Sequence, residues 1–505
     1  MAERDDLVQP EQALLPGSGR RLQVFINQEL VGVLHEDNDL WTLCYDKQWA
    51  SKASSFDLSP ALPRSQLLHR DGASTRPVQW YFDNLLPEEQ LRELIAADAR
   101  LRDKDDAFAL LEYLGAESAG SLTLLPPGQV PGAPVPLQAL AYEALSRRVS
   151  NLPKTTLTRE APKRMSLAGA QHKMVAVLKG KDLYEPVGAT PSTHILKPDH
   201  PASETYPATT YLEWLTMRLA AAARLEVPPV HLLHVPQPIY AIERFDRRFD
   251  AKAVHPETGS EPPAVQRVHI IDACQLLNKS RVYKHAGASV QALRETVQAC
   301  GDELTLPIRL FRWLVFNLLV ANDDCHLKNL SFMVTPGRIE LAPHYDLLAT
   351  GVYHTRAFAD EHGHWPAVPL AVRLSDNVTR FDQVTPEAVL QAARVLGVPS
   401  SVAMRAIREV VSRTLREFDV LYAGHYPQEA GLLAQLHQQD LTVPVQLPAL
   451  ARDRVAPTSE EGAQSPADPA LEVSATAQER AQHLKILRVL RFMVLPEMVK
   501  RLVGD

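Results

Sequence analysis

The run PIRLFRWLVFNLLVA leading directly into NDDCHLKN, residues 307–329, constrains this chain more than any other segment. Phe311, Leu314, Val315 and Leu318 fall on one face of a helix, which has to be buried against a core. A buried helix then delivers a short loop crowded with Asp, His, Lys and Asn. Polar loops on rigid supports are where sites concentrate. The same run is interrupted by Arg312 and Asn317 and is too short to span a bilayer.

Within the loop, Asp324 precedes Asn329 by five positions, the D-x-x-x-x-N spacing of a kinase catalytic loop. In that arrangement the Asp accepts the proton of an attacking hydroxyl and the Asn gives an amide oxygen to magnesium, a cation that prefers hard oxygen ligands. Lys328 between them could neutralise charge on a transferring phosphoryl group. LAPHYDLL puts Asp346 at the end of the apolar run IELAPHY, read as a strand, where a kinase keeps its main metal-binding carboxylate. Taken singly, these residues read equally as turn formers and caps.

The upstream half bears on the choice. MSLAGAQHKMVAVL sets Ser166, Ala168, Gly169 and Ala170 before a β-type run, and small residues let backbone amides approach phosphate oxygens. It carries no Walker pattern and no G-x-G-x-x-G, so a plain tight turn fits as well. THILKPD ends a strand-like run on Lys197, which can reach α and β phosphates or be a solvated edge residue. The helix predicted over 211–224 offers Glu213 as its ion-pair partner. IYAIERFDR turns polar at Glu243, Arg244 and Phe245, where a strand entering the link between two lobes could present backbone groups to an adenine ring.

Around these motifs the text divides. Residues 1–20 read as a loose polar tail. RLQVFINQELVGVLHEDNDLWTLCYD alternates as a hairpin or small sheet turning at Asn38–Asp39. WYFDNLLPEEQLRELIAADARL shows helical spacing with Asp83 or Asn84 as N-cap, and DAFALLEYLG reads as a short helix ending at Gly115. The expected units are 21–125 as an N-terminal subdomain, 126–150 as linker and first helix, 151–250 as a nucleotide-binding lobe, and 251–505 as a helical lobe. Within the last, 452–478, rich in Pro, Ser, Ala and Glu, is expected to be a disordered insert, and QHLKILRVLRFMVLPEMVKRL a closing amphipathic helix. Composition excludes several classes. The 45% hydrophobic and 22% charged balance suits a globular chain, four scattered cysteines with no CxxC argue against zinc or disulfides, and a net charge of -7 argues against direct nucleic-acid binding. The polar N-terminus lacks a signal-peptide core, so a cytoplasmic location is expected.

SLAGAQHK, THILKP, ERFDR, NDDCHLKN and APHYDLL, in this order, resemble the HipA family of toxin kinases, and GVLHEDNDLWTLCYD, WYFDNLLPEE and LLEYLGAESAGSLTLL resemble that family's N-terminal region. The resemblance covers most of residues 21 to about 425. It implies an α+β, two-lobed, protein-kinase-like fold with a mainly α-helical C-terminal lobe and an added N-terminal α/β subdomain. It also implies a serine/threonine protein kinase using ATP and Mg2+. Asp324 would be the catalytic base with Lys328 beside it, and Asn329 and Asp346 the magnesium ligands. Ala168, Gly169, Ala170, Gln171, Lys173, Lys197 and His326 would surround the phosphates, Glu213 would hold Lys197, and Glu243, Arg244 and Phe245 would hold adenine. In the family the loop serine, Ser166 here, is autophosphorylated, and a phosphate dianion on a phosphate-binding loop would repel ATP. The resemblance implies a helix-turn-helix antitoxin of the HipB kind, DNA reached only through that partner, no membrane, and a protein substrate such as an aminoacyl-tRNA synthetase. One departure is His172, where a Glu is expected before the Lys.

Two other classes fit parts of the pattern. A quiet scaffold for a DNA-binding repressor would not need Asp324, Asn329, Asp346 and Lys197 together. A small-molecule kinase would share the D-x-x-x-x-N loop but would not need the SLAGAQ block or the N-terminal module.

Overall fold

In a computed structural model, residues 17–162, 167–169, 171–250, 258–426 and 476–504 are described. The expected tail is described only from residue 17, and the expected insert only over its last residues, where Thr476 caps the helix Ala477–Val489. Among the described residues no helix is long and apolar enough to cross a membrane.

The alternating text near the N-terminus forms a five-stranded antiparallel sheet, in the order Leu68–Arg70, Leu40–Tyr45, Glu29–Asp37, Arg20–Ile26, Leu122–Leu125. Asn38 and Asp39 both take positive φ, +53° and +61°, making the two-residue turn between Asp37 and Leu40. Such a turn matches the twist of the strands it joins. Helices cover this sheet, with Trp41 packed edge-on to Phe108 at 5.2 Å between centroids.

A second sheet of six strands orders as Val230–His234, Pro238–Glu243, His194–Pro198, Met174–Lys179, Asp182–Glu185, Gln138–Ala139. MVAVLK, HILKP and PIYAIE thus lie as neighbouring antiparallel strands, and the helix Thr209–Ala222 packs against HILKP, PIYAIE and the edge strand Val230–His234. Beyond, the apolar helix Leu306–Leu319 is buried on nearly every side and carries the catalytic-type loop at its C-terminal end. The body is α+β, with a sheet-bearing lobe and a mainly helical one.

Two expectations need correcting. The helix expected across WYFDNLLPEEQLRELIAADARL is two, Pro77–Asp83 and Glu89–Asp98. Asn84 is therefore a C-cap rather than an N-cap, because Pro87 cannot continue the hydrogen-bond ladder. Within the mainly helical lobe after 250, Ile270–Asp272, Ser331–Thr335 and Arg338–Leu341 form a three-stranded sheet beneath the polar loop. The strand ahead of Asp346 ends at Leu341, so Asp346 is held by a following extended segment and not by the strand end.

Candidate active site

One cleft of about 580 Å³ between the lobes gathers residues that lie more than 150 positions apart in sequence. It is lined by Ala168, Gly169, Gln171, Lys173, Lys197, Glu243, Arg244, Phe245, Asp324, His326, Lys328, Asn329 and Asp346. Ser166 and Ala170 lie outside the described residues. Glu213 is fully buried behind Lys197.

The loop Asn322–Asn329 is shaped from beneath. Asn317, on the buried helix, donates to the Trp313 carbonyl and accepts from Asn322 Nδ2 at 2.8 Å, and Asn322 Oδ1 accepts from the Asp324 amide at 3.0 Å. Ala321 turns the chain at φ +55°. Asn329 Nδ2 donates to the Asp324 carbonyl at 2.8 Å, which leaves its amide oxygen as the group it offers the cleft. Asp323, also on the cleft wall, is engaged by His354 Nε2 at 2.6 Å.

Asp324 itself keeps 61% of its side chain exposed, directed to the cleft. Water in the open cleft reaches the carboxyl, yet it is surrounded by protein between the lobes, and that desolvation first, then repulsion from Asp323 and Asp346, pushes it up to about 7. Asp346 behaves oppositely. Burial would raise it, but Lys197 and Lys173 outweigh burial and hold it at about 2. Its backbone sits at φ +52°, a conformation Asp adopts more readily than most side chains. Two carboxylates within one cleft are thereby split into a permanent anion and a group poised near neutrality, the usual division between a charge holder and a proton acceptor.

On the sheet lobe, Lys197 Nζ donates to Glu213 Oε1 at 2.7 Å and also meets Asp346 Oδ1. Lys197 is 3% exposed and is kept charged by Asp346 and Glu213, whereas burial raises the Glu213 carboxyl to about 7 and Lys197 only partly offsets that. Lys173 Nζ donates to the Ala168 carbonyl at 2.6 Å, which folds the small-residue loop back on itself at Gly169, φ +104°. That positive φ is what calls for glycine here, since a Cβ would meet only the movable end of Lys173, its Nζ, at 2.9 Å.

Some side chains stand differently from expectation. Lys328 lines the cleft, but its ammonium is directed at the Asn84 carbonyl (2.7 Å), Asn84 Oδ1 (2.9 Å) and Asp272 Oδ2 (2.6 Å). Arg244 lies on the cleft wall, but its guanidinium is taken up by a buried ion network with Asp246 and Glu117. His172 is absent from the cleft lining. It faces the helix Glu89–Asp98 beside Leu91, Ile95 and Thr156, with Nδ1 unpartnered. The departure at this position therefore changes packing against the N-terminal module rather than the cleft wall. Asn84 and Glu88 lie in WYFDNLLPEE and Glu117 in LLEYLGAESAGSLTLL, but nothing in those motifs or around Asp272 shows that Asn84 and Asp272 meet Lys328 or that Glu117 meets Arg244 and Arg247.

With this geometry in hand, similarity to known proteins is specific. Residues 165–418 match the family model of the HipA-like C-terminal domain, and residues 22–125 that of the HipA N-terminal domain. The protein Y4mE of Sinorhizobium fredii, a kinase by name, is 34% identical over 347 residues, 66% of this chain and 78% of its own. The serine/threonine-protein kinase toxin HipA of Shewanella oneidensis is 29% identical over 354 residues, 66% of this chain and 76% of its own. Among solved structures, HipA of Shewanella oneidensis, in a complex with HipB and operator DNA, superposes with a TM-score of 0.67 at 22% identity, covering 96% of this chain and 97% of that one. That likeness is one of fold.

Proposed function

The chain belongs to the HipA family of serine/threonine protein kinases, and from that premise we propose that it is the toxin of a toxin–antitoxin pair, passing the γ-phosphoryl group of ATP to a hydroxyl of a host protein. The observation that carries this reading is the convergence of Asp324, Asn329, Asp346 and the Lys197–Glu213 pair on one cleft. Phosphoryl transfer requires positioning and charge neutralisation more than covalent chemistry, and those residues supply both.

In this mechanism Asp324 takes the proton of the attacking hydroxyl. Lys197, fixed by Glu213, contacts the α and β phosphates, and the loop at Ala168–Gly169, with Gln171 and Lys173, covers them. Phe245 stacks on Tyr345 at 5.6 Å between centroids and closes the end of the cleft proposed for adenine, where Glu243 ends the strand. The Asn329 amide oxygen and the Asp346 carboxylate form a hard oxygen pair that fits Mg2+, which supplies charge neutralisation at the phosphates when bound. Neutral His326 lies beside the same groups, its pKa pushed down to about 3 by burial and by Lys284. The role of Lys328 is to lock the loop to the N-terminal module.

A helix-turn-helix antitoxin is the partner we assign, on the likeness to HipA of Shewanella oneidensis in its complex with HipB and operator DNA. With a net charge of -7, the chain would reach DNA through that partner. Ser166 is the proposed autophosphorylation site, and an aminoacyl-tRNA synthetase a candidate substrate. Incubation of the full chain with labelled ATP and Mg2+, followed by peptide mapping, is expected to place phosphate on Ser166. Label confined to other residues would refute the autophosphorylation assignment, and no transfer to self or to any protein would refute the kinase reading.

A further inference from the structure

At the cleft mouth, two histidines stand beside the proposed base. His285 lies on the short helix Tyr283–Ala286, and His326 caps the turn Leu327–Asn329. Their rings meet edge to face, 4.7 Å between centroids. His326 Nε2 is 3.9 Å from Asp324 Oδ1, too far for a hydrogen bond. One ligand atom from each of His285, Asp324 and His326 lies within 4.8 Å of the other two. His326 is 7% exposed and its Nδ1 has no hydrogen-bond partner, an uncommon condition for a buried polar atom.

From this juxtaposition we propose that His285, His326 and Asp324 form a transition-metal site, and that a Zn2+ ion bound there closes the kinase by taking the carboxylate of its base. The second clause rests on the reading of Asp324 as base. Two imidazoles and a carboxylate are the donor set of three-ligand zinc centres, with a fourth position open to water. Magnesium is not the ion selected, because it prefers all-oxygen sites. Ligand atoms on a tetrahedral zinc stand roughly 3.3 Å apart given bonds near 2.0–2.1 Å. The three side chains therefore need to converge modestly, and His285 and Asp324, both exposed, are free to do so. Lys284 opposes positive charge here, as the lowered His326 shows, but carboxylates offset it. Lys284 is paired with Glu88 at 2.5 Å and Glu89 at 3.0 Å, Lys328 with Asp272 at 2.6 Å, and Asp323 adds a further carboxylate. Zinc and substrate hydroxyl then compete for one carboxylate, so free zinc sets the fraction of active kinase.

Calorimetric titration of the full chain with Zn2+, in millimolar Mg2+ and without nucleotide, tests the site independently of catalysis. One Zn2+ per chain is expected for the wild type, with affinity falling at least about tenfold in His285→Ala and in His285→Asn, as loss of a ligand requires. Thermal melting of both variants verifies that they fold. In the Mg-ATP assay, Zn2+ should stop the wild type, while the His285 variants keep their Mg2+-supported transfer and need about tenfold more Zn2+ for the same inhibition. No uptake by the wild type, or equal uptake by folded His285 variants, overturns the proposal. Zinc uptake that depends on His285, in a chain that transfers no phosphate under any condition, would keep the metal site and sink the reading of Asp324 instead.

Discussion

At the scale of single residues, the account turns on the unequal treatment of two carboxylates. Asp324→Asn removes the proposed proton acceptor and should lower phosphoryl transfer by about 10²–10⁴-fold, the usual contribution of a positioned base, with no loss of melting temperature, because the side chain is largely exposed and its charged form is disfavoured in the fold. The pH profile follows from the same asymmetry. As the proposed base Asp324 would work deprotonated, and its pKa is raised, so kcat should fall as pH drops through about 7, while Asp346, held at about 2, stays ionised throughout. Asp323→Asn removes one of the like charges raising Asp324, so the acid limb of kcat should move to lower pH. An unmoved limb in a folded variant would mean that another group titrates. Asp324, Asn329, Asp346 and Lys197 could be picked out from residue type and spacing, because their chemistry is local to short motifs. The direction of Lys328 and Arg244 could not, since it depends on acceptors supplied from Asn84, 244 positions away, and Glu117, 127 positions away.

Among elements, the break between Pro77–Asp83 and Glu89–Asp98 has the largest consequence. The turn it creates inserts Asn84 and Glu88 beneath the catalytic-type loop, where Asn84 and Asp272 engage Lys328, while the Glu88 amide donates to the Gly169 carbonyl at 3.3 Å. A single N-terminal turn therefore touches both the loop carrying the proposed base and the loop proposed for phosphate. Asn84→Ala leaves the buried Lys328 ammonium short of an acceptor and should cost about 1–3 kcal/mol, read as a lowered denaturant midpoint. An unchanged midpoint would show that Lys328 finds another acceptor. Helical periodicity alone ran through this turn, since Leu85 and Leu86 are apolar and keep the pattern, and only Pro87 marks the interruption.

For the whole molecule, the N-terminal sheet module and the kinase body are joined by buried charge. Glu117, fully buried, accepts from Arg247 Nη2 and Arg267 Nη2, each at 2.8 Å, and Asp246 pairs with Arg244 at 2.6 Å and takes the Gly120 amide. Removing one carboxylate strands several guanidinium groups away from water. Glu117→Gln should therefore destabilise the chain by about 3–5 kcal/mol, measured by chemical denaturation. A cost below 1 kcal/mol on that measurement would show that the network does not tie the module to the body. The two-lobed class was readable because each lobe carries its own signature motifs. The way the module grips the body was not, because LLEYLGAESAG gives no sign of where Glu117 finds its partners. The most direct test of the central claim is a paired measurement on wild type and Asp324→Asn, comparing ATP affinity by calorimetry with transfer of labelled phosphate to protein. The account predicts that the variant binds ATP as the wild type does and loses transfer by at least about 100-fold. Equal transfer by the two proteins would contradict it.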